Sequence, residues 1–446
     1  MKIRIFLIFS LIWGISFGQQ AANEPEREQW FMDLGFGMFI HWSMDSQVGA
    51  VISHSMAGAS ADYLQRFITE LPKTFNPSKF DPDEWAVLAK LAGMKYVVFT
   101  AKHHSGFCMW NTQTTDFNIM NTPFSRDVTK AVLDAFRKQG IAVGLYFSPE
   151  DFHFLYENNL PIGRLQHPQH YPENNPGLMD LDRKQIRELL TNYGKIDLLF
   201  FDGPAEGLKE YAWQLQPDLV VTRGQMQTPE QTLPDKPIPG PWEACFTMGT
   251  DWQYKPTNDP QKSGTEIIDM LIETRAKGGN LLLNVGPKPD GEIQIEQEAL
   301  LREIALWHLV NQESIHHIRP WDIIKEGNIW FTKAKDRNIV YAFVPAGKEW
   351  PYGERKEFVL KTLKGNDQTK VSVLGFGSDL VEYRKNFDAK VYVSQSPIGL
   401  VISAVNGQRL YTNNQWPNPV VLKIENVKYS PEQKVTEKKS DLDGAK

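Results

Sequence analysis

Cysteine is scarce: the 446 residues hold two, Cys108 and Cys245. That excludes a disulfide-dense scaffold and a zinc site built on several thiolates, and leaves room for one bridge at most. An excess of basic charge is also missing. With a net charge of −6 and no long basic run, the chain lacks the electrostatic footprint of a nucleic-acid binder. No Gly-x-Gly-x-x-Gly follows a strand candidate, so a dinucleotide fold has no support. Neither His-x-His nor His-Glu-x-x-His occurs, which removes the commonest signatures of metal-assisted hydrolysis. Long apolar runs are confined to the start. Ile5 to Ile15 follows Lys2 and Arg4 and precedes the small residues Ser16 and Gly18. That is a signal-peptide layout, shorter than the ~20 residues of a membrane span. It predicts loss of residues 1–18 and a secreted or periplasmic mature chain without a span.

What is present is a helix-then-strand rhythm from about residue 25 to 318. Asp81-Pro82-Asp83-Glu84 reads as an N-cap, a first-turn proline and acids matched to the helix dipole. Trp85, Leu88, Ala89 and Ala92 share the following helical face, Gly93 ends it, and Met94 to Ala101 reads as a strand. Ser263-Gly-Thr-Glu266 has capping-box spacing. Seven strand candidates emerge, beginning near residues 35, 94, 141, 196, 219, 242 and 280. Such alternation predicts a parallel sheet, and this many units favour an α/β fold, a (β/α)8-like TIM barrel. After Trp321 short alternating runs without helical period predict a C-terminal antiparallel β-sandwich over 320–428. Residues 429–446 are charged, poor in apolar side chains, and read as a disordered tail.

In a barrel of this kind the reactive groups gather where strands end. Those ends carry His41 and Trp42, then His103 and His104, then Tyr146 with Glu150 and Asp151 just beyond. The run IDLLFFDGP (196–204) stops on Asp202, the next strand stops on Arg223, and Glu230 and Glu243 follow. Each has an ordinary structural reading, a core histidine or a turn aspartate. Neighbours on a strand face opposite ways, so His103 and His104 can both serve a site only if the strand has already ended. Convergence at four successive strand ends favours chemistry. Glycoside hydrolysis suits it best, because that reaction needs two carboxylates plus groups that bind and stack on sugar.

These residues lie in FGMFIHW (36–42), KTFNPSKFDPDEW (73–85), GMKYVVFTAKHHSGFCMW (93–110), NTPFSRD (121–127), RELLTNYGKIDLLFFDG (187–203), TPEQ (228–231), PWEACFTMG (241–249) and KGGNLLLNVGPKPDG (277–291). In these stretches the chain resembles the α-L-fucosidase family of retaining glycoside hydrolases. The resemblance implies Asp202 as nucleophile and Glu230 as acid/base, with Glu243 as its rival. It implies substrate contacts from His41, His103, His104, Tyr146 and Arg223, with Trp42, Trp242 and Glu243 beside them. The implied substrate is a fucosylated glycan, and the implied chemistry needs no metal or other cofactor. Many members carry Glu-Trp-Tyr after the first loop, where this chain reads Ala61-Asp62-Tyr63. A barrel hydrolase for a related sugar, such as an α-galactoside, and a non-catalytic carbohydrate-binding protein are the alternatives. The linkage cleaved and the oligomeric state are not written in the sequence.

Overall fold

The computed structural model describes residues 20–431 apart from 164–166, 258, 378, 381–387 and 409–417. The expected leader, 1–18, and the tail from 432 onward lie outside the described residues.

Seven parallel strands form one sheet: β1 (Phe36–Ile40), β2 (Tyr96–Lys102), β3 (Ala142–Phe147), β4 (Leu198–Phe201), β5 (Val220–Val221), β6 (Glu243–Thr247) and β7 (Asn280–Val285). Their order is β5-β4-β3-β2-β1-β7-β6. The helices are α1 (Pro25–Leu34) before the sheet, α2 (Ala61–Thr69), α3 (Pro82–Leu91), α4 (Val128–Lys138), α5 (Phe152–Glu157), α6 (Pro176–Asn192), α7 (Lys209–Leu215) and α8 (Gly264–Ala276) in crossovers, and α9 (Ile295–Asn311) after β7. The expected caps are formed. Asp81 accepts from the Glu84 amide at 3.1 Å, and Ser263 and Glu266 complete a reciprocal capping box.

The seven strands are those the sequence predicts, but the ring of strand pairs does not close. Among the described residues β5 and β6 do not pair. Isolated parallel bridges instead join Gln227 to Trp242 and Glu230 to Cys245, laying segment 227–230 along β6.

The period of two along each strand divides the core. Met38, Ile40, Val97, Phe99, Leu199, Phe201, Ala244 and Leu283 join the cluster under the helices. Phe39, Tyr96, Val98, Tyr146, Leu198, Phe200, Cys245 and Leu282 fill the concave side. At the base of that side Gly37 is required for packing. A Cβ there would sit 2.4 Å from the Tyr96 ring.

After α9 the chain turns antiparallel: β8 (Ile318–Glu326), β9 (Ile329–Ala334), β10 (Ile339–Val344), β11 (Arg355–Leu360), β12 (Leu363–Lys364), β13 (Lys370–Val373), β14 (Tyr392–Ser396), β15 (Gly399–Val405), β16 (Val420–Glu425) and β17 (Lys428–Tyr429). A five-stranded sheet (β13-β16-β10-β9-β8) and a three-stranded one (β11-β15-β14) share a core of Phe331, Val340, Leu360, Ile402 and Leu422. Two boundaries move. β8 begins at Ile318, inside the span assigned to the barrel. Its pairing slips between Pro320 and Lys325, which hides the alternation that would mark a strand. β17 reaches Tyr429, and the Ser430 amide donates to the Thr362 carbonyl, so the ordered chain runs past the expected start of the tail.

Cys108 and Cys245 are both buried and free, in separate clusters, so the one possible bridge is not formed. At the junction His316 is buried between the His308 ring (2.6 Å) and the Leu34 carbonyl (2.6 Å), while His317 is exposed. Arg275 ties α1, α8 and β7 to the chain entering β8. It is buried and donates to the carbonyls of Met32 (2.9 Å), Gly279 (2.5 Å) and Ile315 (2.9 Å) and to Asn280 Oδ1 (2.8 Å). Arg275→Met would leave these acceptors without a donor, at about 1–3 kcal/mol for each one that stays dry. It is expected to lower stability by at least about 3 kcal/mol in urea and thermal unfolding; a change under about 1 kcal/mol would show that water replaces the guanidinium.

Candidate active site

A cavity of about 290 Å³ opens at the carboxyl ends of the parallel strands. β1 contributes Phe39 and His41, the turn after β2 His103, β3 Tyr146, β4 Phe200 and Asp202, and the turn after β5 Arg223. Glu230, Cys245, Trp252, Ser53 and His54 complete the wall. A cleft of about 790 Å³ between α3 and α9 is larger. Lys288 pairs with Glu292 there and Arg302 with Glu298, and no histidine or buried carboxylate lines it.

Asp202 is the centre of the smaller cavity. Arg223 Nη1 donates to its Oδ1 at 2.9 Å, and the Tyr146 hydroxyl donates to its Oδ2 at 2.6 Å. His104 Nε2 stands 3.4 Å from Oδ2. Burial works to raise its pKa, but the hydrogen bond and charge of His104, then Arg223 and His103, outweigh it. The carboxyl is held well below the usual carboxylate range.

The donors are themselves oriented. The His104 amide donates to His103 Nδ1 at 2.8 Å, so His103 carries its hydrogen on Nε2 and meets the Tyr146 hydroxyl at 2.9 Å. Tyr146 passes that polarity on to Asp202. His41 Nδ1 donates to Asn284 Oδ1 at 2.6 Å, which turns the lone pair of Nε2 toward the cavity. Burial pulls the His41 pKa down to about 3 against the Asn284 hydrogen bond, so the ring is a neutral acceptor for a hydroxyl.

Arg223 also reaches Glu230. Its Nη2 lies 3.0 Å from Glu230 Oε2, and the Glu230 side chain is 43% exposed. Two carboxylates therefore sit on the two terminal nitrogens of one guanidinium.

Among the described residues, one group of His, Cys, Asp or Glu side chains is close enough to hold a metal. It is His103, His104 and Asp202, with donor atoms within 4.8 Å of one another. Those atoms are already engaged. Both His103 nitrogens and both Asp202 oxygens hold hydrogen-bond partners, so the donor set fits a hydrogen-bonded cluster better than an ion.

A model of the alpha-L-fucosidase family matches residues 17–313. The chain is 32% identical over 415 residues to the tissue alpha-L-fucosidase of Mus musculus, covering 81% of this chain and 86% of that protein. It is 28% identical over 422 residues to an alpha-L-fucosidase of Dictyostelium discoideum, covering 83% and 88%. The structure of alpha-L-fucosidase isoenzyme 1 from Paenibacillus thiaminolyticus superposes with a TM-score of 0.72 at 28% identity, over 90% of this chain and 99% of that one. The chain belongs to the alpha-L-fucosidase family. It is a glycoside hydrolase, and the strand-end acids are to be read as such.

Of the residues the family resemblance marks, His41, His103, Tyr146, Asp202, Arg223 and Glu230 meet in one cavity, and His104 touches Asp202 from outside its lining. Both histidines reach Asp202 or its partner because β2 ends at Lys102. Three expected residues are elsewhere. Trp42 lies on the helix side of the sheet, packed on Phe75, Phe80 and Trp85 with Nε1 donating to the Lys288 carbonyl. Trp242 is buried on the same side, against Gly279, where a Cβ would come within 2.4 Å of the indole. Glu243 does face inward, but it starts β6 and so sits at the opposite end of the strands. It is fully buried there and accepts from the Tyr96 hydroxyl at 2.6 Å.

The wall also contains residues that sequence reasoning missed. Phe39 and Phe200 stand two positions before His41 and Asp202, and period two on a strand would have found both. Trp252 follows β6, and its ring lies 4.8 Å from that of His41. Ala61, Asp62 and Tyr63 form the first turn of α2, away from the cavity. The wall from that loop is Ser53 and His54 instead, linked Oγ to Nδ1 at 2.7 Å.

Burial raises the Glu243 pKa from 4.5 to about 7, only partly countered by the Tyr96 hydrogen bond. Its neutral form is thus the one that suits the fold. The associated stability is complete below about pH 4.5 and is lost as pH rises through about 7. Glu243→Gln should flatten that fall in stability between pH 4.5 and 7. Curves for wild type and variant that keep the same slope would remove Glu243 from the base of the sheet.

Proposed function

We propose that the protein is an exo-acting, retaining α-L-fucosidase that releases terminal α-L-fucose from glycans, with Asp202 as nucleophile and Glu230 as acid/base. The observation that carries this reading is the pair of acids on Arg223. One is recessed and held ionised by three donors, the other is half-exposed at the mouth with one partner. We further read segment 227–230 as filling the place between β5 and β6, so that seven strands and this segment make a closed eight-position barrel with the sandwich behind it. The layout of residues 1–18 supports export.

In the first step Asp202 attacks the anomeric carbon, forming a C1–O ester as the bond from C1 to the leaving oxygen breaks. Glu230 takes up a proton from solvent as it leaves Arg223 and delivers that proton to the leaving oxygen. In the second step water attacks C1, its proton passes to the Glu230 carboxylate, and the ester bond breaks to return Asp202 as an anion. Two inversions retain configuration. His41 Nε2 accepts a sugar hydroxyl, and the aromatic wall of Phe39, Phe200 and Trp252 suits the methyl group of fucose better than the 6-hydroxyl of a galactoside.

Asp202→Ala is expected to lose about a thousandfold or more of turnover on an aryl α-L-fucoside while staying folded. Near-normal rates would exclude it as nucleophile. Glu230→Ala should slow glycosides with poor leaving groups far more than activated aryl ones, with part of the rate restored by azide. Equal losses on both, without azide rescue, would reassign the acid/base.

A further inference from the structure

Behind His104, the donor to Asp202 that lies outside the cavity lining, runs a buried line of polar groups that the reaction as described does not use. His104 presents Nε2 to Asp202. On its other side Ser148 Oγ lies 2.5 Å from Nδ1. That hydroxyl donates its one hydrogen to the Glu150 carbonyl at 2.7 Å, so it meets the ring as an acceptor and Nδ1 carries hydrogen. A ring with hydrogen only on Nδ1 would aim a lone pair at the Asp202 carboxylate. Hydrogen on both nitrogens turns that repulsion into attraction and makes the ring a cation.

A buried cation needs a counter-charge beyond the one consumed in the reaction. Glu150 Oε2 is 3.6 Å from His104 Nδ1, and Glu150 Oε1 is 2.9 Å from His170 Nδ1 in an electrostatic contact rather than an aligned hydrogen bond. His170 Nε2 donates to the Pro161 carbonyl at 2.9 Å. Glu150 is 4% exposed and His170 1%.

We propose that Glu150 is a positioning residue that holds His104 as an imidazolium against Asp202. This rests on Asp202 being the nucleophile. When Asp202 becomes an ester it loses its charge, and His104 would then face a neutral group. Glu150 keeps the ring charged through that interval, so a preorganised cation awaits the carboxylate that must leave in the second step. The second step therefore depends on Glu150 more than the first. The groups facing His104 are Asp202 from the end of β4, Ser148 and Glu150 after β3, and the His103 ring beside it at 4.5 Å. His41 and Arg223 lie across Asp202, and Asp151 is turned away to Lys102.

The test is Glu150→Gln on an aryl α-L-fucoside with a good leaving group, read by intact-protein mass spectrometry and by steady-state kinetics. The expected result is a fall in kcat of about tenfold or more, a KM that falls with it, and a glycosyl-enzyme adduct that accumulates in the steady state. Glu150→Asp reverses part of these effects. An unchanged kcat with no adduct would overturn the proposal, leaving Glu150 a packing residue. If Glu150→Gln does not fold, Glu150→Asp is read the same way: a lower kcat with accumulating adduct supports the proposal, and an unchanged kcat with no adduct overturns it. Wild-type turnover of the same glycoside, measured in parallel, tests the fucosidase reading separately.

Discussion

Arg223 gives one terminal nitrogen to each of two acids carried by different strand ends. Asp202 ends β4, Glu230 lies on the loop beyond β5, and the guanidinium that joins them is pinned in turn. Its Nε donates to Thr228 Oγ1 at 3.0 Å, and its plane lies over the Phe200 ring at 4.6 Å. The guanidinium between them offsets the repulsion of two acids that share one cavity. The same contact ties segment 227–230 to the strand ends at the position where β5 and β6 do not pair.

The two acids are held differently, and the difference is what a double displacement asks for. Asp202 is set by a strand clamped on both sides, by Tyr146 and by His104, so its oxygen cannot drift from the reacting carbon. Glu230 is on a loop with one charged partner and open access to water, which lets it move between giving a proton and taking one. Rigidity belongs to the nucleophile, and exchange with solvent to the acid/base.

The sheet was legible because parallel strands covered on both faces are continuous apolar runs, and LLFF before Asp202 is one. Asp202, Arg223 and the histidines were legible because they follow such runs. What failed was direction. Trp42 is one residue past His41 and therefore points into the helix layer, and Trp242 does the same on β6. Glu243 follows a proline-rich loop, as a rim residue could, yet the strand begins rather than ends there, so parallel topology sends it to the base. Ser53 and His54 left no periodic signal, since a loop reaches its target by tertiary path alone. β8 was hidden by a slip in its own pairing.

The account stands on Asp202 forming the bond to sugar. Incubating the enzyme with a 2-fluoro-fucosyl fluoride, digesting it and sequencing the labelled peptide by mass spectrometry tests that directly. The label should fall on Asp202, within the peptide containing Phe200 to Pro204. A label on Glu230 or Glu243, or turnover with inverted configuration and no label anywhere, would contradict it.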